Sequence, residues 1–159
     1  VMAKDTPSMA KNKIKRSLGA IIDPHPTERE KTMLWEYFKN SCAYCGLTME
    51  RKSRVGHLDH VVPTSEGGNN SIFNHVLSCS GGGGGEKREM DWLEFLTNKV
   101  DCAETLTSRK SLIEMWLAKN TIKPIDSAAQ EQIDNIVEKA LMQFDESVRL
   151  MRELRGKIT

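Results

Sequence analysis

The 159-residue sequence predicts an α+β fold: a small zinc-stabilised core with an N-terminal helix and a helical C-terminal extension. Two cysteines three positions apart, Cys42 and Cys45, suit zinc because both thiolates can reach one tetrahedral ion from a tight turn. Residues 57–63, HLDHVVP, are apolar and β-branched enough for a short strand that ends at Pro63. Apolar residues recur every three or four positions across residues 128–155, which predicts a long amphipathic helix.

The N-terminal part of the chain is expected to contain a basic tail and then one helix. Residues 1–25 have weak hydrophobic periodicity and an excess of lysine and arginine, which favours a solvated tail or a short helix. Thr27 and Glu30 match the T-x-x-E capping box, so a helix is expected from about residue 28 to residue 39. Its buried side is expected to carry Leu34, Tyr37 and Phe38.

The middle of the chain is expected to contain a loop and a second strand before helices take over. The composition of residues 64–71, TSEGGNNS, is that of a loop. Residues 72–79, IFNHVLSC, suit a second irregular strand or a turn of helix. Residues 89–100 and 108–120 each carry an apolar stripe with helical spacing.

These patterns predict three parts: a basic N-terminal tail of residues 1–25, a core of residues 26–100, and a helical extension of residues 101–159. A second capping box, Ser127 with Gln130, is expected to start the long helix of the extension. That helix either docks on its own domain or forms a homodimer through its apolar face, and the sequence leaves both open.

Composition narrows the class of protein. Charged residues make up 28% and hydrophobic residues 38%, which is ordinary for a globular protein. The net charge of +1 provides no global basic field, so any nucleic-acid contact has to come from local clusters. No apolar run approaches the roughly 18 residues of a membrane span, and no signal-peptide pattern is seen. We therefore expect a cytoplasmic location.

The cysteine pair is better explained by metal binding than by redox chemistry. A redox pair is expected to open a helix after a strand, whereas this pair follows a helix and precedes Gly46. Cys79 is the candidate third ligand, and Cys102 is expected to be a core or surface thiol. The natural fourth ligand would lie at position 82, where it would complete a second Cys-x-x-Cys, but that residue is Gly82.

Asp59 and His60 are the candidate metal-binding and catalytic residues. A carboxylate supplies a hard oxygen for a divalent cation, and a neutral imidazole can take a proton from water near pH 7. Neighbouring side chains on a strand point to opposite faces, but an irregular strand end is expected to let both address one site. By itself the pair also fits an exposed polar dipeptide, and its position between Cys45 and Cys79 favours the functional interpretation.

The segments CAYCG, LDHVVPTSEGGNNSIFN and VLSC together resemble the HNH endonucleases, which are ββα-metal nucleases with a treble-clef-like zinc scaffold. The resemblance covers about residues 30–95. It implies a ββα-metal core, double-stranded DNA as partner and phosphodiester hydrolysis leaving 5′-phosphate and 3′-hydroxyl ends. Members occur in restriction, phage and mobile-element systems, so a bacterial or phage-type setting is expected.

The resemblance also implies a role for each matching residue. His60 would be the general base that activates water, and Asp59 would hold a catalytic divalent ion, Mg²⁺ or another. Asn74 would orient the His60 loop by hydrogen bonding. The structural zinc would be held by Cys42, Cys45 and Cys79.

The chain departs from the family pattern at a run of five glycines, Gly81 to Gly85. The pattern has a cysteine at position 82 and an Asn or His metal ligand at position 83, opening a helix, but both residues are glycine here. The run fits a stand-in for unassigned residues, an engineered replacement that disarms the nuclease, or a natural loss of the ligands. A chain with glycine at both positions is expected to be catalytically crippled.

Local basic residues are the candidate DNA contacts. They are Arg51, Lys52 and Arg54 beside the cysteine pair, and Lys87 and Arg88 after the glycines. Two other functions remain open at this stage. One is a non-catalytic zinc-dependent DNA-binding module with a degenerate site, and the other is a partner-binding helical protein.

Overall fold

The computed structural model describes residues 5–80 and 87–159. The chain divides into two compact units, one formed by residues 1–24 with 125–159 and the other by residues 25–124. Among the described residues, no helix is both long and apolar enough to cross a membrane.

The unit of residues 25–124 combines three helices with one small sheet. Its helices are α2 (Glu28–Tyr37), α3 (Trp92–Lys99) and α4 (Ala103–Leu117), and its strands are β1 (Gly56–His60) and β2 (His75–Cys79). The strands pair antiparallel, with Gly56 opposite Cys79 and His60 opposite His75. A 3₁₀ turn, Ile72–Asn74, leads directly into β2, so residues 72–79 contain both of the structures that the sequence left open. The predicted α+β fold is confirmed.

Helix α2 begins where the capping box places it. The Thr27 hydroxyl accepts a hydrogen bond from the Glu30 backbone N–H at 3.3 Å, and the Glu30 carboxylate accepts one from the Thr27 N–H at 2.7 Å. Leu34 and Phe38 are buried as predicted, and Tyr37 is half-buried. Trp35 is buried as well, which the periodicity did not single out.

Helix α4 anchors the approach to β2. The fully buried indole of Trp116 donates from Nε1 to the carbonyl oxygens of Ile72 at 3.2 Å and His75 at 2.8 Å. The Phe73 ring packs on the same indole, with 4.9 Å between the ring centroids. The sequence-based division at residue 100 falls between α3 and α4, whereas the structure places both helices in the unit that contains the sheet.

The other unit pairs helix α1 (Pro7–Ile22) with the long helix α5 (Ser127–Ile158). The sequence left open whether residues 1–25 are a solvated tail or contain a short helix. Residues 7–22 form a helix, and the Thr6 hydroxyl caps it. Lys11 forms an ion pair with Asp145 at 3.0 Å. Neither helix contains a fully buried residue.

The predicted capping box of α5 is wrong. Asp126 is the N-cap, and its carboxylate accepts a hydrogen bond from the Ala129 N–H at 2.7 Å. Ser127 is already the first residue of the helix. Asp126 is favoured because a carboxylate both accepts the exposed N–H and interacts well with the positive end of the helix dipole.

Candidate functional site

The cysteine knuckle, residues 42–46, is a tight turn tied to β2. The Gly46 N–H donates to the Cys42 carbonyl at 2.9 Å, which closes the turn, and the Ala43 N–H donates to the Leu77 carbonyl at 2.8 Å. Gly46 has φ +78°, in the left-handed region that favours glycine. The turn therefore has the form that the two-cysteine pattern requires.

Arg109 of α4 supports the knuckle from outside. Its Nη1 donates to the Tyr44 carbonyl at 2.8 Å. A Cβ placed on Gly46 would lie 2.4 Å from Arg109 Nη2, so the guanidinium occupies the space that a larger residue would need. Positive φ and close packing together select glycine at this position.

The knuckle brings three thiols together. The sulfur atoms of Cys42, Cys45 and Cys79 all lie within 4.8 Å of one another, and those of Cys45 and Cys79 are 3.6 Å apart. Tetrahedral thiolate ligands on zinc, with Zn–S bonds of about 2.3 Å, have sulfur atoms about 3.8 Å apart. Burial, aided by the nearby Cys42, raises the pKa of the Cys45 thiol to about 11. The donor set fits a thiophilic cation such as zinc.

The exposed Cys102 lies outside this cluster, in agreement with its expected role as an ordinary thiol. The expected fourth position, Gly82, and the expected catalytic ligand position, Gly83, lie outside the described residues. So do the rest of the glycine run and the start of the helix that the resemblance places there.

Asp59 is held by two buried side chains. The Tyr44 hydroxyl donates to Asp59 Oδ2 at 3.0 Å, and the Lys87 ammonium lies 3.3 Å from the same oxygen. Tyr44 comes from the knuckle itself and packs edge-on against Phe95 of α3. Burial, and then the negative charge of Asp59, hold the pKa of Tyr44 well above its usual value. Tyr44 thus joins the thiol cluster to the candidate metal-binding carboxylate.

His60 faces different neighbours. Its Nε2 lies 3.0 Å from Asn70 Oδ1, and its ring stacks at a tilt against His75, 4.1 Å between centroids. The buried His75 has its Nδ1 2.7 Å from the Ser71 carbonyl. The β1–β2 register is regular through His60, so the expected irregular strand end is not found. In a regular strand, Asp59 and His60 project to opposite faces.

Asn74 shapes the turn that follows β1. Its buried side-chain amide donates to the carbonyls of Val62 at 3.0 Å and Asn69 at 2.8 Å, and its Oδ1 accepts from the Val62 N–H at 3.0 Å. Gly68 packs against this turn so closely that a Cβ would lie 1.8 Å from the Val62 oxygen. Asn74 has the contacts needed for a loop-orienting residue.

The predicted DNA contacts separate into two groups. Arg51, Lys52, Arg54 and Arg88 are exposed. The Lys87 side chain is fully buried and donates to the His60 carbonyl at 3.0 Å. A buried ammonium paired with Asp59 is not presented to a phosphate backbone, so the candidate DNA-facing set excludes Lys87.

Three contributions were not identified from sequence: Tyr44 on Asp59, Asn70 on His60, and the buried position of Lys87. The sequence offered one indication that Tyr44 belongs to the site, because Tyr44 lies between the two knuckle cysteines. Asn70 belongs to the Gly-Gly-Asn-Asn loop, whose composition indicated only a turn. The burial of Lys87, eight residues after the end of β2, depends on tertiary contacts alone.

One comparison with known proteins finds a family that part of this chain resembles. The family model of the HNH endonucleases matches residues 42–81, from the first knuckle cysteine through the end of β2. This segment contains Asp59, His60, Asn74 and the cysteine cluster, and the resemblance seen in the sequence is confirmed. No curated protein and no solved structure matches the chain.

Proposed function

We propose that this protein is a metal-dependent DNA endonuclease with His60 as general base and Asp59 as ligand of the catalytic ion. One observation carries the proposal: Asp59 and His60 end the strand β1 inside the HNH-matching segment, and Tyr44, from between two cysteines of the three-thiol cluster, donates to Asp59. Double-stranded DNA is the proposed substrate, and a cytoplasmic, bacterial or phage-type setting goes with it.

His60 is suited to take a proton from the attacking water. If Asn70 Oδ1 accepts the hydrogen of Nε2, the lone pair of the neutral ring lies on Nδ1, which then accepts the proton. Asn74 holds the backbone after β1 and so limits movement of His60. Asp59 would hold a divalent cation, Mg²⁺ or another, which neutralises charge on the phosphate and its leaving oxygen.

A structural zinc is proposed on Cys42, Cys45 and Cys79. A fourth ligand completes a closed tetrahedral site in such centres. Position 82 is where the family pattern provides it, and the residue there is Gly82. The first measurement is therefore the mass and fragmentation of the peptide that spans residues 77–90, which shows whether positions 82 and 83 are glycine in the molecule.

Paired proteins test the activity. The chain with Gly82 and Gly83 is compared with a Gly82→Cys/Gly83→Asn variant, which supplies both ligands that the pattern requires. We expect the variant to nick or cut plasmid DNA when Mg²⁺ or Mn²⁺ is present, and the unsubstituted chain to cut far more weakly. His60→Ala in the variant should abolish cleavage while circular dichroism and zinc content stay unchanged. Cleavage that survives His60→Ala would refute the proposed base.

A non-catalytic DNA-binding module is the second candidate. Glycine at positions 82 and 83 favours it, since a chain without those ligands could keep the scaffold and lose the chemistry. The exposed Arg51, Lys52, Arg54 and Arg88 would contact the DNA backbone in either case. Binding that weakens steeply with salt, without cleavage by either protein, would select this candidate over the nuclease.

A homodimer through α5 is also proposed. The helix exposes Met151, Leu154 and Ile158 on one stripe, and Met142 and Ile136 further back. Its charge is polarised: residues 127–146 contain five acidic and one basic residue, and residues 147–158 contain four basic and one acidic residue. Two antiparallel copies of α5 would bury the apolar residues and place acidic halves against basic halves.

A further inference from the structure

We infer that Lys87 is a positioning residue of the proposed active site. Its buried ammonium holds the Asp59 side chain in place relative to the backbone of His60. The inference rests on the proposed function and deepens it. Lys87 lies beyond residues 42–81, the segment that the family model matches, and the sequence suggested only a DNA contact for it.

The Lys87 ammonium makes two contacts at the end of β1. Lys87 Nζ is 3.3 Å from Asp59 Oδ2 and donates to the backbone carbonyl of His60 at 3.0 Å. These acceptors belong to adjacent residues, one to a side chain and one to the main chain. A single cation that contacts both fixes the rotamer of Asp59 relative to the peptide that carries His60.

Both partners of this ion pair are shielded from solvent. The Lys87 side chain is fully buried, and that of Asp59 is only 17% exposed. Burying an ammonium is costly unless a partner of opposite charge and further hydrogen bonds compensate it. Asp59 supplies the charge and the His60 carbonyl supplies a further acceptor, so the burial fits a fixed contact better than a mobile surface lysine.

Burial also separates the role of Lys87 from that of a DNA-binding lysine. A fully buried ammonium cannot contact DNA directly, so its effect has to pass through Asp59 and His60. The next residue, Arg88, is exposed and so, unlike Lys87, is accessible to DNA. We therefore expect Lys87 to affect turnover and Arg88 to affect DNA affinity.

The test uses the Gly82→Cys/Gly83→Asn protein as its background. Lys87→Met keeps the length of the side chain and removes the charge. We expect kcat for DNA cleavage to fall about 10- to 100-fold with KM within about threefold, as for other residues that orient metal ligands. Arg88→Met should raise KM with little change in kcat. Lys110→Met, on a half-exposed lysine of α4 that pairs with Glu114, is the matched control and should change neither.

A second readout does not depend on activity. The ring-nitrogen NMR signals of His60 should move in Lys87→Met and stay in place in Lys110→Met, because the first variant frees the peptide of His60. If the Gly82→Cys/Gly83→Asn protein does not cleave DNA, the proposed function is refuted. The His60 signals would then still test whether Lys87 positions His60.

Other outcomes overturn the inference. A folded Lys87→Met with unchanged kcat and unchanged His60 signals shows that Lys87 does not position the pair. An effect on KM alone would make it a DNA contact after all. If Lys87→Met does not fold, Lys87→Gln removes the charge and keeps a polar side chain: lower kcat with shifted His60 signals supports positioning, and unchanged values overturn it.

Discussion

At the scale of single residues, the candidate site depends on side chains that link parts of the chain far apart in sequence. Tyr44 of the knuckle donates to Asp59 of β1, and Lys87 contacts Asp59 and His60 from beyond β2. Arg109 reaches the knuckle from α4. Because each group is held by a partner from another element, the end of β1 is fixed on several sides.

At the residue scale, we compare Gly46 of the knuckle with Gly67, which lies outside it. Gly46 and Gly67 both have positive φ, +78° and +83°, but only Gly46 packs against another side chain. Gly67→Ala should cost about 1–2 kcal/mol from the backbone alone. Gly46→Ala should cost more, because its Cβ also displaces the Arg109 guanidinium. Urea unfolding of both variants measures the difference, and equal losses would show that the Arg109 contact adds nothing.

At the scale of elements, helices α2 and α5 begin at capping side chains, whereas no side chain caps the start of α4. Thr27 and Glu30 cap α2 reciprocally, and Asp126 caps α5. Helix α4 contributes differently, since Trp116 hydrogen-bonds the backbone on both sides of the 3₁₀ turn that leads into β2. Helix α4 is thus part of what supports the site.

The corrected cap of α5 can be tested by two adjacent substitutions. Asp126→Ala removes the acceptor of the Ala129 N–H and should cost about 1 kcal/mol of helix stability. Ser127→Ala, at the first helical position, should change stability little. Thermal unfolding followed by circular dichroism at the helix band compares them. A larger loss for Ser127→Ala would restore the original assignment of the cap.

At the scale of the whole molecule, the two units differ in how they are stabilised. The unit of residues 25–124 has a buried core and a thiol cluster, whereas the α1–α5 pair has no fully buried residue. We expect metal to matter for the first unit and self-association to matter for the second.

Zinc removal tests the first expectation. In the Gly82→Cys/Gly83→Asn protein, chelation should remove bound zinc and lower the unfolding temperature, because binding to the folded state alone is a contribution to its stability. Mass spectrometry measures the zinc content, and calorimetry measures the unfolding temperature, each before and after chelation. Cys42→Ser should abolish zinc retention, whereas Cys102→Ser, outside the cluster, should not. Zinc retention in Cys42→Ser would contradict the assigned site.

The solution mass tests the second expectation. We expect a concentration-dependent dimer by light scattering, and Leu154→Glu should shift it to monomer by placing a charge in the apolar stripe. Gln132→Glu introduces the same side chain at an exposed polar position of α5 and should leave the dimer intact. A monomer at all concentrations in the unmodified chain would refute the dimer.

The sequence by itself determined the elements whose signals are local. The capping box of α2, the paired cysteines, the strand that contains Asp59 and His60, and the periodicity of α5 are readable because each depends on residues a few positions apart. Those local motifs, taken together, also indicated the HNH family.

Only the tertiary structure decided which side chains meet. It brought Cys79 to the knuckle, Tyr44 to Asp59 and Lys87 beneath the end of β1, and it placed α4 in the same unit as the sheet. It also showed that β1 is regular through His60, where the sequence suggested an irregular end. The physical reason is that burial and pairing depend on contacts between distant segments. The same lysine is a solvated charge or a buried counter-ion according to what packs around it.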